Sequence, residues 1–122
     1  MPFQSIWEPL CVLTIWTGRA TGDELLAYIR AAQSNPQFDD VHYSLHDFTA
    51  CTGTEFSLAS IEELAAMDSV GAHSNPNNIK IAVVAHRPDV IAAVSDYIGT
   101  EMSPYPVRIF STIEAAREWA CK

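Results

Sequence analysis

Basic residues are scarce in this chain: seven lysines and arginines stand against fifteen acidic residues, for a formal net charge of -8. The seven (Arg19, Arg30, Lys80, Arg87, Arg108, Arg117 and Lys122) are scattered, with no two adjacent and no helical stripe among them. A nucleic-acid partner needs a positive footprint to neutralise phosphates, so none is expected. The same acidity argues against purely electrostatic adhesion to anionic lipid.

Cysteine is also sparse. Cys11, Cys51 and Cys121 are odd in number, far apart and without a CxxC pair. That pattern excludes a disulfide framework and, with no secretory signal before the first strand, points to a reducing cytoplasm. No hydrophobic run is long: Leu10 to Trp16 is the longest, far too short to cross a bilayer, so no transmembrane segment is expected. Peripheral membrane contact stays open. The five glycines form neither a Walker loop nor a GxGxxG, which leaves nucleotide binding without support and no cofactor expected. Repeats, linkers and low-complexity stretches are absent as well.

What is there is a core. The chain has 122 residues, 48% of them hydrophobic. That is the size of one domain spanning residues 1–122, and enough apolar surface to fold without a staple. Phe3–Trp7 and Leu10–Trp16 flank Glu8-Pro9 and read as a hairpin, with Gly18 ending the second strand. Thr21 and Glu24 have capping-box spacing, Leu25, Ile29 and Ala32 recur at helical period, and Asn35-Pro36 stops that helix. Val41–His46 alternates like a half-buried strand, and Thr49–Thr54 reads as a turn-rich stretch.

Ser57 or Ser60 begins a second helix, buried through Ile61, Leu64 and Ala65, with Asp68 on the same period, running to about Gly71. Asn75-Pro76-Asn77-Asn78 reads as a loop and Ile79–Ala85 as a central strand. Pro88 opens a third helix that Gly99 closes. Tyr105–Phe110 is a last strand, followed by a helix that Ser111 and Glu114 are spaced to cap. The order β-β-α-β-α-β-α-β-α predicts an α/β domain with a mixed, mostly parallel five-stranded sheet and four helices. Only the first strand runs antiparallel. Leu10–Trp16 and Ile79–Ala85, apolar on both faces, are expected inside the sheet.

Three stretches carry a resemblance. Leu45-His46-Asp47-Phe48 is an apolar strand closing on an aspartate. Ile81–Ala85 follows a leading Lys80. Val107–Phe110 and then Ile113–Trp119 form a closing strand and helix. In this order they resemble the SpoIIAA-like proteins, a branch of the fold shared with the STAS domains of anti-sigma-factor antagonists. The resemblance implies the fold and a binding or regulatory role, with membrane association or apolar ligand binding as candidate activities. In the STAS antagonists a phosphorylatable serine follows an aspartate at the start of the second helix. Here that stretch is Gly53-Thr54-Glu55-Phe56-Ser57, without an Asp-Ser pair, so the phosphoswitch is expected to be missing.

In such a sheet the loops after the strands share one edge, where open α/β folds place ligands. That edge is expected to gather Thr17, Arg19, Asp47, Cys51, Thr54, His86 and Arg87. Cys51, His86 and Asp47 have the chemistry of a nucleophile, base and orienter. The preferred reading is that Asp47 caps a loop, Cys51 fills space and His86 sits in solvent. No nucleophile elbow or oxyanion loop accompanies them. His42 and His46 lie on one face of their strand with Asp47 nearby, yet no further ligand has zinc spacing. No metal is expected, and the pair reads as a solvated or interface-facing polar strip.

The hairpin carries more apolar side chains than one face can bury, Trp7 and Trp16 among them. The first helix, a second subunit or an apolar ligand must cover them. The expected function is therefore a non-enzymatic binding or regulatory module that acts through protein contacts or a small apolar, lipid-like ligand and self-associates. Its surface includes Trp7, Trp16, Asp47, Thr54, His86 and Arg87. The rival reading is a small enzyme using Cys51, His86 and Asp47.

Overall fold

A computed structural model describes residues 3–75 and 77–121. It contains β1 (Phe3–Glu8), β2 (Cys11–Thr21), α1 (Gly22–Ser34), a short 3-10 helix (Pro36–Asp40), β3 (Tyr43–Glu55), α2 (Leu58–Ser74), β4 (Lys80–Val84), α3 (Pro88–Gly99), β5 (Val107–Phe110) and α4 (Ile113–Ala120). Pro76, in the expected loop, lies outside the described residues.

The five strands stand in sequence order, β1-β2-β3-β4-β5, with β1 antiparallel to β2 and every other pair parallel. The expected α/β class, strand count and interior position of β2 and β4 are all observed. Pro9 and Leu10 make the two-residue turn between β1 and β2, with Leu10 in the left-handed region at φ 64°. Thr21 caps α1 in the expected box, its side chain accepting from the Glu24 N–H while the Glu24 carboxylate accepts from the Thr21 N–H.

Several boundaries differ. β3 starts at Tyr43 rather than Val41, α2 runs past Gly71 to Ser74, and β5 starts at Val107 rather than Tyr105. Three further differences each have a local reason. Gly18 does not end β2; at φ 66° it takes up a register shift, and the strand runs on to Thr21. Thr49–Thr54 is not a turn but the outer half of β3, paired with β2 as far as Thr21↔Glu55. Thr49, Thr52 and Thr54 are β-branched, and their pleated partner strand outweighs the turn character of the stretch. At the other end, Thr112 rather than Ser111 caps α4, accepting from the Ala115 N–H. At α2 the alternative resolves to Ser57, with Ser60 three residues on closing the box.

Strand alternation divides the core. Trp16, Phe48 and Val83 pack with Leu25, Tyr28 and Ile29 of α1 and Val90 of α3, and Leu64 and Met67 of α2 join them. On the opposite face Cys11, Leu45, Ala82 and Val84 pack against Ala116 and Ala120 of α4. On the second apolar face of β2, Cys11 is buried in the α4 cluster and Leu13 packs against it, while Leu13 and Ile15 both stay partly exposed. As the last element α4 is no crossover, so the handedness rule leaves it free to fold back beneath the sheet. Arg117 of α4 locks this arrangement to the hairpin by a two-pronged bond to Glu8, both contacts 2.9 Å.

Candidate functional site

The carboxyl edge of the sheet assembles only some of the residues expected there. Thr54 and Arg87 both lie by Asp89, whose carboxylate accepts from the Arg87 guanidinium at 3.1 Å and is held low chiefly by that bond, with a smaller lowering from Thr54. His86 is exposed and its Nε2–H donates to the Ser111 carbonyl at 2.7 Å. Asp47 accepts from the N–H and hydroxyl of Thr49. Cys51 lies on β3, buried, its thiol donating to the Gly53 carbonyl at 3.2 Å. Each of Cys51, His86 and Asp47 therefore has a local partner that is not one of the other two. Trp7 is half-buried at the rim of the core, whereas Trp16 is fully buried and forms no surface.

A different site lies beneath the helices. Between the sheet and α1–α3 is a cavity of about 110 Å³. Its floor comes from alternate residues of the strands: Val12, then Ser44, His46 and Phe48, then Ile81 and Val83. Leu25, Tyr28 and Ile29 of α1, Ile61 and Leu64 of α2, and Val90, Val94 and Tyr97 of α3 form its roof. Phe38 and Val41 line one wall, and the buried Asn75 behind them donates its side-chain amide to their carbonyls at 2.7 and 3.2 Å.

Two polar groups interrupt this apolar lining. The first crosses the floor. Ile15 pairs with Asp47 but Thr17 with Ala50, so β3 bulges opposite Trp16. The indole stacks on Phe48, the rings 5.4 Å apart and nearly parallel, and its N–H reaches His46 Nδ1 at 3.2 Å. His46 Nε2 lies 3.2 Å from the Ser44 hydroxyl, which lies 3.3 Å from the Tyr28 hydroxyl. An indole N–H only donates, so His46 Nδ1 accepts and the ring proton sits on Nε2, aimed at Ser44. Burial among these rings pulls the His46 pKa down to about 4. His42, by contrast, is exposed ahead of β3. The expected polar strip is thus divided: His42 meets solvent, and His46 faces the cavity because Trp16 and Ser44 satisfy its nitrogens.

The second polar group is on the roof. Asp68 of α2 is buried and accepts a hydrogen bond from the Tyr97 hydroxyl of α3. Burial raises its pKa to about 6, against the lowering effect of that bond. Tyr105, from the segment before β5, is buried nearby, and burial together with the Asp68 charge pushes its phenol up to about 12. Sequence reasoning placed none of Tyr28, Ser44, Tyr97 or Tyr105 in a site. Asp68 did give a signal, for it follows Ile61 and Leu64 by seven and four residues, a core position that holds a carboxylate.

Among the described residues no group of three or more histidines, cysteines and acids is placed to hold a metal ion. No helix is long and apolar enough to cross a membrane.

No family model matches this sequence, and no curated protein matches it either. Solved structures do. The anti-sigma factor antagonist SpoIIAA in its unphosphorylated form aligns with a TM-score of 0.56 at 14% identity, covering 98% of this chain and 97% of that one. An uncharacterized DUF3478-family protein with a SpoIIAA-like fold, from Shewanella loihica PV-4, aligns with a TM-score of 0.53, also at 14% identity, covering 98% and 92%. The fold of this chain is SpoIIAA-like, as its closing strands and helix suggested.

Proposed function

We propose that this protein is a non-enzymatic binding module whose cavity under α1–α3 takes one small, predominantly apolar ligand. The observation that carries the reading is the cavity itself: about 110 Å³ inside a 122-residue chain, bounded by the sheet and three helices. Native interiors pack as densely as organic crystals, and voids larger than a water molecule are few. A space lined by aliphatic and aromatic side chains with a few placed polar groups is the usual form of a small-molecule site. The likeness to an anti-sigma factor antagonist supports a regulatory use, in which ligand occupancy biases contacts with another protein. Self-association belongs to the same proposal, supported by Ile6 and Leu10, which stay exposed on the edge hairpin. The polar edge of Asp47, Thr54, His86 and Arg87, with Trp7, is the proposed partner-facing surface.

The enzymatic alternative draws less support, because Cys51 is buried and bonded within its own strand. Native mass spectrometry of freshly purified protein tests the proposal. The expected result is one small apolar molecule per chain, released on denaturation and missing from a cavity-filling Ala32→Leu variant. The bare chain mass in both proteins counts against it. The same spectrum reads the subunit count.

A further inference from the structure

The two polar groups of the cavity differ in one respect: the floor group is internally complete and the roof group is not. Tyr105 is 8% exposed and lines the cavity. Among the described residues its hydroxyl is the single buried side-chain nitrogen or oxygen without a hydrogen-bond partner. Buried polar atoms are nearly always paired, because an unpaired one carries its full desolvation cost. Phenylalanine would fill the same space without that cost, so the hydroxyl marks a bond made to something else.

Asp68 shows what that something must satisfy. Its carboxyl lines the same cavity, lies close enough to Tyr105 to bear on its phenol, and among the described residues forms no ion pair. The Tyr105 hydroxyl can donate or accept, and the carboxylate only accepts, so a group bridging the two must donate to Asp68. A carboxylate cannot, and would face Asp68 with like charge. An ammonium could donate to both, but it would carry a charge into an otherwise apolar space at a large desolvation cost; a neutral hydroxyl donates to Asp68 and accepts from Tyr105 without that cost.

We infer that the ligand is a small uncharged molecule with one hydroxyl on a compact apolar body, the hydroxyl oxygen accepting from Tyr105 and its O–H donating to Asp68. This rests on the cavity-binding reading above and names the chemistry of that same site. Size follows from volume: a dry cavity of about 150 Å³ accommodates benzene, so a space of about 110 Å³ suits a body of about six carbons with modest relaxation.

The experiment compares four probes that share one ring and differ in the head: benzene, phenol, benzylamine and benzoate. Each is titrated into the full chain and followed by the NMR shifts of cavity-lining methyl groups. Phenol is expected to bind about tenfold tighter than benzene, and benzylamine and benzoate more weakly than benzene. Tyr105→Phe should remove the phenol advantage while leaving benzene affinity unchanged. Should that variant not fold, Asp68→Asn is the second probe, expected to cut the advantage about threefold. If benzene and phenol bind alike, or if Tyr105→Phe leaves the phenol advantage intact, the hydroxyl assignment is overturned while the cavity reading stands; a water then fills the role. Benzylamine or benzoate as the tightest binder also overturns the assignment. If none of the four binds, the cavity reading fails with it.

Discussion

The indole N–H of Trp16 donates to Nδ1 of His46 across 3.2 Å, and this bond sets the direction of the polar strip on the cavity floor. With Nδ1 accepting, His46 is neutral and donates through Nε2 to Ser44, whose hydroxyl is then free to donate to Tyr28. A proton added to His46 would have to displace the indole N–H, which agrees with a pKa drawn down to about 4.

That pairing and the buried Asp68 predict opposite pH dependences. His46 falls from 6.5 to about 4 on folding, so the unfolded chain binds its proton first and stability is lost as pH drops from 6.5 towards 4. Asp68 rises from 3.8 to about 6, so its contribution is fully present below 3.8 and is lost as pH climbs through 6. Each shift corresponds to about 3 kcal/mol, and between pH 4 and 6 the two slopes offset. Denaturant melts from pH 3.5 to 7.5 should therefore show Asp68→Asn gaining on the parent as pH rises, by about 2–3 kcal/mol at pH 7. His46→Gln, which keeps an acceptor for Trp16, should gain on the parent as pH falls. Slopes of the same sign in both variants would contradict the account.

The thiols make a simpler prediction. Cys11 and Cys51 are buried and Cys121 is exposed. Burial also raises the Cys11 thiol to about 12. One thiol per native chain should react with a disulfide reagent at neutral pH, and three after denaturation. Rapid modification of Cys51 in the native protein would restore the enzymatic reading.

Ser57 is predicted to act as a helix cap. Its hydroxyl accepts from the Ser60 N–H at 3.1 Å. Ser57→Ala should cost about 1 kcal/mol in denaturant unfolding, and Ser57→Asp, which caps as well, should stay near the parent. Stoichiometric phosphate on Ser57 in cells, with altered partner binding, would show instead that the switch persists without its Asp-Ser pair.

The layered fold was legible in the sequence wherever one periodicity ruled. The α1 stripe of Leu25, Ile29 and Ala32, the two-faced apolarity of β4 and the Thr21–Glu24 box each agree with the structure. The outer half of β3 was not legible, because Thr49–Thr54 takes its extended form from pairing with β2, a contact more than thirty residues away in the chain. The site was hidden for a related reason. Trp16 and His46 are both aromatic or polar residues on strands, and only the bulge opposite Trp16 turns one onto the other. Tyr105 and Asp68 come from different elements, so the missing bond between cavity and ligand becomes visible only once the helices are in place.

The most direct test of the account is benzene titrated into the parent and into Ala32→Leu, read from the methyl resonances of Val12, Ile29, Ile81 and Val83. These four residues, like Ala32, line the cavity. Saturable shifts are expected at all four in the parent and none in Ala32→Leu, with a higher melting temperature for the variant because leucine fills the void. Shifts confined to surface residues, or identical titrations in the two proteins, would contradict it.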